Sequence, residues 1–385
     1  LGRLPNGGAY FTMAEVEGRT LTAVIAEVHA ASDANRWQAT ATGWSFRRLV
    51  DALRRVCEAV AYAHSRNVVH RDLKPDNVML GAHGEVLVVD WGLAKVAGRV
   101  DLAAQAGDLD VVVTDRSKDA THATRMGAVS GTPAYMAPEQ ARGEINRIDA
   151  RSDVYALGAI LYEVLAGRPP YCGGDAMALL EQVLAGPPEP PGRAAPVDSL
   201  YAGGAGAPLP EELAAACTRA MSREPADRFE HAGDLAAALA GWLDGARRKE
   251  QALAVVERAQ ALRPRIQALQ EQATALQRDA QLLLEGVRPW QPESDKAPGW
   301  DKQDEAERLL AESEGLDLTV ERGLHAALRI DAGLFEAHAA LAERHRAAHA
   351  RSESDRDGDA VRRAEAAIQS HVEALPVEHE THVAC

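Results

Sequence analysis

Aromatic residues are scarce in this chain of 385 residues: four phenylalanines, seven tyrosines and six tryptophans make up only 4% of it. Alanine and the aliphatic residues carry most of the 46% apolar content, a balance that leans towards helix. Cysteine is as sparse. Cys57, Cys172, Cys217 and Cys385 lie far apart without a CxxC pair, which excludes a disulfide scaffold and a zinc ribbon and fits a reducing, cytoplasmic compartment. Positive charge is outweighed, with a net charge of −15, so no general field holds the chain on phosphate backbones or anionic lipid. No apolar run approaches the roughly 18–20 residues of a membrane-spanning helix, and no charged-then-apolar signal pattern opens the chain. The expectation is therefore no nucleic acid and no membrane segment, in a length sufficient for two or three domains.

The patterning divides what is there. Turn chemistry at Asn6-Gly7-Gly8 precedes a short strand pattern over 9–16, and 21–30 is apolar at helical spacing. From Ser45, placed as an N-cap, Leu49, Leu53, Val56, Val60 and Ala63 recur at the spacing of a helix that buries one face. Three β-prone pieces follow at 68–70, 78–80 and 86–89, and the turn residues between the last two predict a hairpin. Residues 97–130 are polar and aperiodic, as a long functional or disordered loop is. The stretch 153–165 is apolar nearly all round and predicts a helix at a domain centre. A Gly/Pro stretch over 186–210 leads to two amphipathic helices at about 211–221 and 234–243.

Beyond residue 245 the composition turns to Ala, Gln, Glu, Arg and Leu. Leu262, Leu269, Leu276 and Leu283 recur every seven residues, with Ile266, Ala273 and Ala280 in the partner positions, a coiled-coil seam interrupted at Pro264. Such a seam serves dimerisation or a helical hairpin folding on itself, and Pro264 makes the hairpin at least an equal reading. A Pro/Trp linker is expected over 288–300, then helices to about 374. The piece 327–342 resembles part of a tetratricopeptide repeat.

The densest chemistry is in His70-Arg71-Asp72-Leu73-Lys74-Pro75-Asp76-Asn77, followed by Asp90-Trp91-Gly92 and then Ala137-Pro138-Glu139. Between and after these stand Gly131-Thr132-Pro133-Ala134-Tyr135-Met136 and Asp153-Val154-Tyr155-Ala156-Leu157-Gly158. Any one triplet recurs by chance; three in this order resemble the catalytic loop, metal-binding motif and APE motif of the protein kinases. The Lys two residues after Asp72 resembles the serine/threonine branch, and the tail and composition resemble the bacterial, eukaryotic-like members. The resemblance implies an α+β protein-kinase-like fold, mostly the helical large lobe with a partial small-lobe sheet, then an all-α, coiled-coil and repeat-like region. The expected domains are a kinase domain over 1–245 (end of the small lobe and hinge 1–30, large lobe 31–245), a coiled coil or hairpin over 246–287, the linker, a tetratricopeptide-like region over 301–375 and a tail over 376–385.

Phosphoryl transfer passes through a loose transition state, so a kinase mainly positions the hydroxyl and neutralises charge. The resemblance implies that Asp72 orients the substrate hydroxyl and takes its proton, that Lys74 reaches the γ-phosphate of ATP, and that Asn77 and Asp90 supply oxygen to Mg²⁺. Thr132 would contact Asp72 and Lys74. Glu139 and Arg228 would form a buried ion pair, and Asp153 would bond the catalytic-loop backbone. In Tyr10-Phe11-Thr12-Met13-Ala14-Glu15-Val16-Glu17-Gly18, Met13 would be the gatekeeper, the Ala14 carbonyl and Val16 amide would bond adenine, and Met79 would form its floor. Trp91 replaces the family's usual Phe, an aromatic swap. Arg71 would pair with a phosphorylated residue, its acceptors being Thr114, Ser117, Thr121, Thr124 or Ser130.

The family's Gly-rich loop, strand Lys and helix Glu would precede Leu1. Two readings stay open, a piece of a longer kinase or a degenerate kinase used as a scaffold; intact Asp72, Lys74, Asn77 and Asp90 favour the first, with little activity expected of this piece alone. The implied partners are ATP, proteins with Ser or Thr acceptors in bacterial signalling, and self-association or a protein partner through the helical tail. His379, His382 and Cys385 have ligand types but read as an unstructured end. His64 and Cys57 read as packing residues.

Overall fold

A computed structural model describes residues 2–3, 9–10, 16–32, 37–82, 84–93, 95–96, 132–191, 209–354 and 356–374. The chain divides into two compact units, Leu1–Leu243 and Asp244–Cys385.

In the first unit, caps decide where helices begin. The Thr20 hydroxyl accepts from the Ala23 amide at the start of α1 (Leu21–Ala31), and Ser45 accepts from the Arg48 amide at the start of α2 (Phe46–Ser65). The face of α2 read from the sequence is buried, with Leu49, Leu53, Val56, Cys57 and Val60 fully enclosed. Short α3 (Pro138–Ala141) precedes α4 (Ala150–Ala166), which is capped by Asp149 and buried on every side from Ser152 to Leu165. It ends at Gly167, whose φ of +71° favours glycine and whose missing Cβ would fall 2.8 Å from the His29 ring. Helix α6 (Glu211–Ala220) packs on it, whereas α5 (Ala176–Ala185) packs on α3 and the turn at 133–135.

Strands are few and short. Among the described residues, β1 (Gly2–Arg3) pairs with β2 (Ala9–Tyr10), β3 (Arg19–Thr20) pairs with β5 (Val78–Leu80), and β4 (Val68–Val69) pairs with β7 (Lys95–Val96), all antiparallel. The expected hairpin is present: β5 and β6 (Val86–Val88) pair with Val78 opposite Val88 and Leu80 opposite Val86. Residues 11–15, the whole loop 97–130 and most of 186–210 lie outside the described residues.

Helix α7 (Ala232–Gln260) runs through the composition shift near residue 245: Leu235 and Leu239 join the first core, Ala252 and Val256 the second. In the helical unit, α8 (Arg263–Leu284) and α9 (Glu293–Ile330) form a hairpin, followed by α10 (Phe335–Ser354) and α11 (Gly358–Val372). Pro264 stands in the first turn of α8, where its missing N–H costs nothing. Ile266, Leu269, Ala273 and Ala280 are buried as the heptads predict, but Leu283 is exposed. A straight helix drifts about 20° per heptad against a seven-residue repeat, and by the last turn Leu284 has moved into the seam.

The linker expected at 288–300 needs correction. Helix α9 already begins at Glu293 and carries Pro298 inside it. Gly299 is buried against Leu284, whose Cγ would lie 2.5 Å from a Cβ there. This close approach of two helices outweighs the local break that proline favours.

Candidate functional site

The segment from His70 to Lys74, ahead of a single 3-10 turn at Pro75–Asn77, is shaped largely by side chains from elsewhere. Arg71 sits at φ +71°, in the left-handed region that non-glycine residues avoid. The buried Asp153 carboxylate, from the first turn of α4, holds that bend: its two oxygens accept from the His70 and Arg71 amides, each at 2.8 Å. His64 Nε2 lies 2.8 Å from the same carboxylate, so His64 does more than the packing expected of it. Gln140 of α3 donates to the Arg71 carbonyl at 3.0 Å. His70 is fully buried; its Nδ1 accepts from the Asp72 amide at 3.3 Å and its Nε2 donates to the Val89 carbonyl at 3.2 Å.

This frame gathers four polar side chains. Asp72 Oδ1 accepts from the Thr132 amide at 2.9 Å and from its hydroxyl at 3.3 Å. Lys74 Nζ donates to the Thr132 hydroxyl at 2.8 Å and stands 3.3 Å from Asp72 Oδ2. Asn77 directs its NH₂ to the Asp72 carbonyl at 2.8 Å and to Oδ2 at 3.4 Å, which leaves the amide oxygen as its accepting end. Asp72 and Lys74 are partly exposed, whereas Asn77 is buried.

The hairpin carries Asp90 to the same end. The Val89 amide donates to the Asn77 carbonyl at 2.9 Å, so the residue after it leaves β6 beside Asn77. Asp90 has φ +64° and an exposed side chain. Trp91 bonds the Val88 carbonyl through its indole N–H and packs on His70 with ring centroids 4.5 Å apart, filling an aromatic position. Met79 lies half-buried in β5 opposite Leu87 and Thr20; Val16 is half-buried ahead of β3. Met13 and Ala14 lie outside the described residues, as do Thr114, Ser117, Thr121, Thr124, Ser130, His379, His382 and Cys385.

A buried ion pair braces the segment after Thr132. Arg228 donates to both Glu139 oxygens at 2.7 and 2.8 Å, and the Ser152 hydroxyl adds a third bond at 2.7 Å. Burial pushes the Glu139 carboxyl up, but the Arg228 bonds and charge outweigh it and hold it below the usual carboxylate range. Nearby, the Tyr135 hydroxyl donates to Glu163 at 2.5 Å. Burial raises the Glu163 carboxyl to about 7, with the Tyr135 bond opposing and the Asp76 charge adding to the rise.

A partly exposed carboxylate, an ammonium 3.3 Å away and two further oxygen donors can orient a hydroxyl, take its proton and meet a polyanion. His64 and Gln140 are the contributors that motif reading missed; the signal for Gln140 was its place directly after Ala137-Pro138-Glu139.

The protein kinase domain family matches residues 10–186. Serine/threonine-protein kinase PknD of Protochlamydia amoebophila is 34% identical over 237 residues, covering 62% of this chain and 22% of that protein. Serine/threonine-protein kinase PknB of Mycolicibacterium smegmatis is 34% identical over 193 residues, 50% of this chain and 26% of its own length. A second PknD, from Chlamydia trachomatis, is 33% identical over 239 residues, 61% of this chain and 24% of that protein. The chain thus spans about a quarter of the length of these relatives.

Proposed function

We propose, on the premise that residues 10–186 carry a protein kinase domain of the bacterial serine/threonine type, that the chain transfers the γ-phosphoryl group of ATP to Ser and Thr hydroxyls of proteins, its own included. The observation that carries this reading is the convergence of Lys74, Asn77 and Thr132 on the Asp72 carboxylate.

Asp72 accepts the proton of the incoming hydroxyl while the new O–P bond forms and the bond from the γ-phosphorus to the leaving diphosphate oxygen breaks. Thr132 fixes Asp72 Oδ1, and Oδ2, which has only longer contacts to Asn77 at 3.4 Å and Lys74 at 3.3 Å, takes that proton. Lys74 offsets the charge that develops on the transferred group. Asn77 and Asp90 would hold Mg²⁺, and their donor set fits: an amide oxygen and a carboxylate are hard ligands, and an ion that keeps several waters needs few from the protein. When bound, the ion neutralises phosphate charge. Met13, Ala14, Val16 and Met79 would line the adenine site. The helical unit would serve partner binding, including self-association; no helix among the described residues is long and apolar enough to cross a membrane.

The test is Mg-ATP-dependent phosphorylation by the full-length protein against its Asp72→Asn variant. A loss of about 10²–10⁴-fold is expected, the usual share of a positioned base. Equal phosphate incorporation by both proteins would reject the reading.

A further inference from the structure

Four histidines widely spaced in the sequence gather in the helical unit. His371 of α11 is the hub: its ring centroid lies 5.2 Å from that of His338, 5.7 Å from His345 and 6.3 Å from His325. His338 is buried, with Nε2 2.9 Å from the Ala332 carbonyl and Nδ1 3.0 Å from His371 Nδ1. A carbonyl only accepts, so the hydrogen of neutral His338 is on Nε2. Its Nδ1 is then bare, and His371 must donate through Nδ1. One placement of hydrogens satisfies both rings.

Helix α11 packs along α10. Among the described residues Ala364 is its one buried residue, and a second side-chain link to α10 is His349, 3.5 Å from Glu365. The groups around the hub are His325 and Glu321 from α9, and His338, Arg344, His345 and His349 from α10. Glu321 draws a proton towards His345, while Arg344 and His325 oppose one. The tautomers that the His338–His371 hydrogen bond requires make the proton a species to which the cluster is sensitive.

We propose that the histidine cluster is a proton-operated latch, in which the second proton taken up by His338 and His371 releases α11 from α10. A first proton is tolerated, because His371 protonated on Nε2 still donates to His338. A second puts hydrogen on both Nδ1 atoms, 3.0 Å apart, and sets two cations beside His345 and His325. Burial, then the charges of His338, His345 and His325, lower His371 to about 4 from an ordinary 6.5. Docking is therefore complete above pH 6.5 and is lost as the pH falls through about 4.

Hydrogen exchange on the full chain tests this, with rates corrected for intrinsic exchange. Between pH 7.5 and 5, protection across α11 should fall about tenfold relative to α8, a figure reduced for the partial exposure of His371. In His371→Gln the fall should shrink below about threefold. Equal protection at both pH values in the native chain, or an unchanged fall in the variant, would overturn the latch. Should the variant leave α11 unprotected at pH 7.5, nitrogen NMR of the native chain decides. Hydrogen on His371 Nδ1 and His338 Nε2, with two titrations at least about one unit apart, upholds the latch; two independent titrations near about 6.5 overturn it.

Discussion

Eleven polar or charged residues are buried among the described residues of the first unit, against Ser313 and His338 in the helical unit. Those of the first unit are tied to one another: Glu139 to Arg228 and Ser152, Asp153 to His64 and to two backbone amides. The helical unit closes on Ala252, Val256, Ile266, Leu324, Ala327 and Leu341, with its ion pairs on the surface. The difference follows from what each must hold. A bent loop that presents a carboxylate needs directional bonds inside the protein, whereas parallel and antiparallel helices satisfy their own backbone and need only apolar contact.

That contrast breaks first, and furthest, at the ion pair. Arg228→Ala leaves Glu139 charged in the core with the Ser152 hydroxyl but without its cation, and should cost the first unit about 3–5 kcal/mol. Denaturant unfolding followed through Trp37, Trp44, Trp91 and Trp242 reads it; a loss under about 1 kcal/mol would place this pair with the surface bridges. Leu324→Ala, fully buried in the helical unit, should cost about 2–5 kcal/mol there by leaving a cavity. Phosphate transfer should be unchanged, and a parallel loss of activity would show that the contrast is drawn too sharply.

Glu163→Gln sharpens the comparison through pH. The native carboxyl titrates at about 7 in the fold against 4.5 when free, so its contribution to stability is full below pH 4.5 and is lost as the pH rises through 7. The variant should gain on the native protein by about 2–3 kcal/mol between pH 5 and 8, measured as the shift in unfolding midpoint. The smallest effect is expected at Gly315 in α9, where a Cβ would meet nothing within 4 Å. Gly315→Ala should stabilise the helical unit by about 1 kcal/mol through helix propensity alone, read as a rise in its thermal midpoint.

Local signals were legible where local forces decide. Ser45 as a cap, the spacing of α2, the turn between β5 and β6 and the all-apolar α4 are each written in a few neighbouring residues. The motifs point to Asp72, Lys74, Asn77 and Thr132, and these side chains lie together. What stayed hidden depends on distant partners. The start of α9 inside a Pro/Trp stretch rests on Gly299 meeting Leu284. The role of His64 rests on Asp153, 89 residues away, and His325, His338, His345 and His371 are brought together from three helices.

The Glu139–Arg228 pair also sets a clock during synthesis. Its partners are 89 residues apart, so at about 5–20 residues per second the ribosome needs roughly 4–18 s after Glu139 to supply the arginine. Until then the nascent chain carries Asp72, Lys74, Asn77 and Asp90 without the brace behind Thr132. A polypeptide cut short in that interval holds Asp72, Lys74, Asn77 and Asp90 but has no arginine to pair with the Glu139 carboxylate.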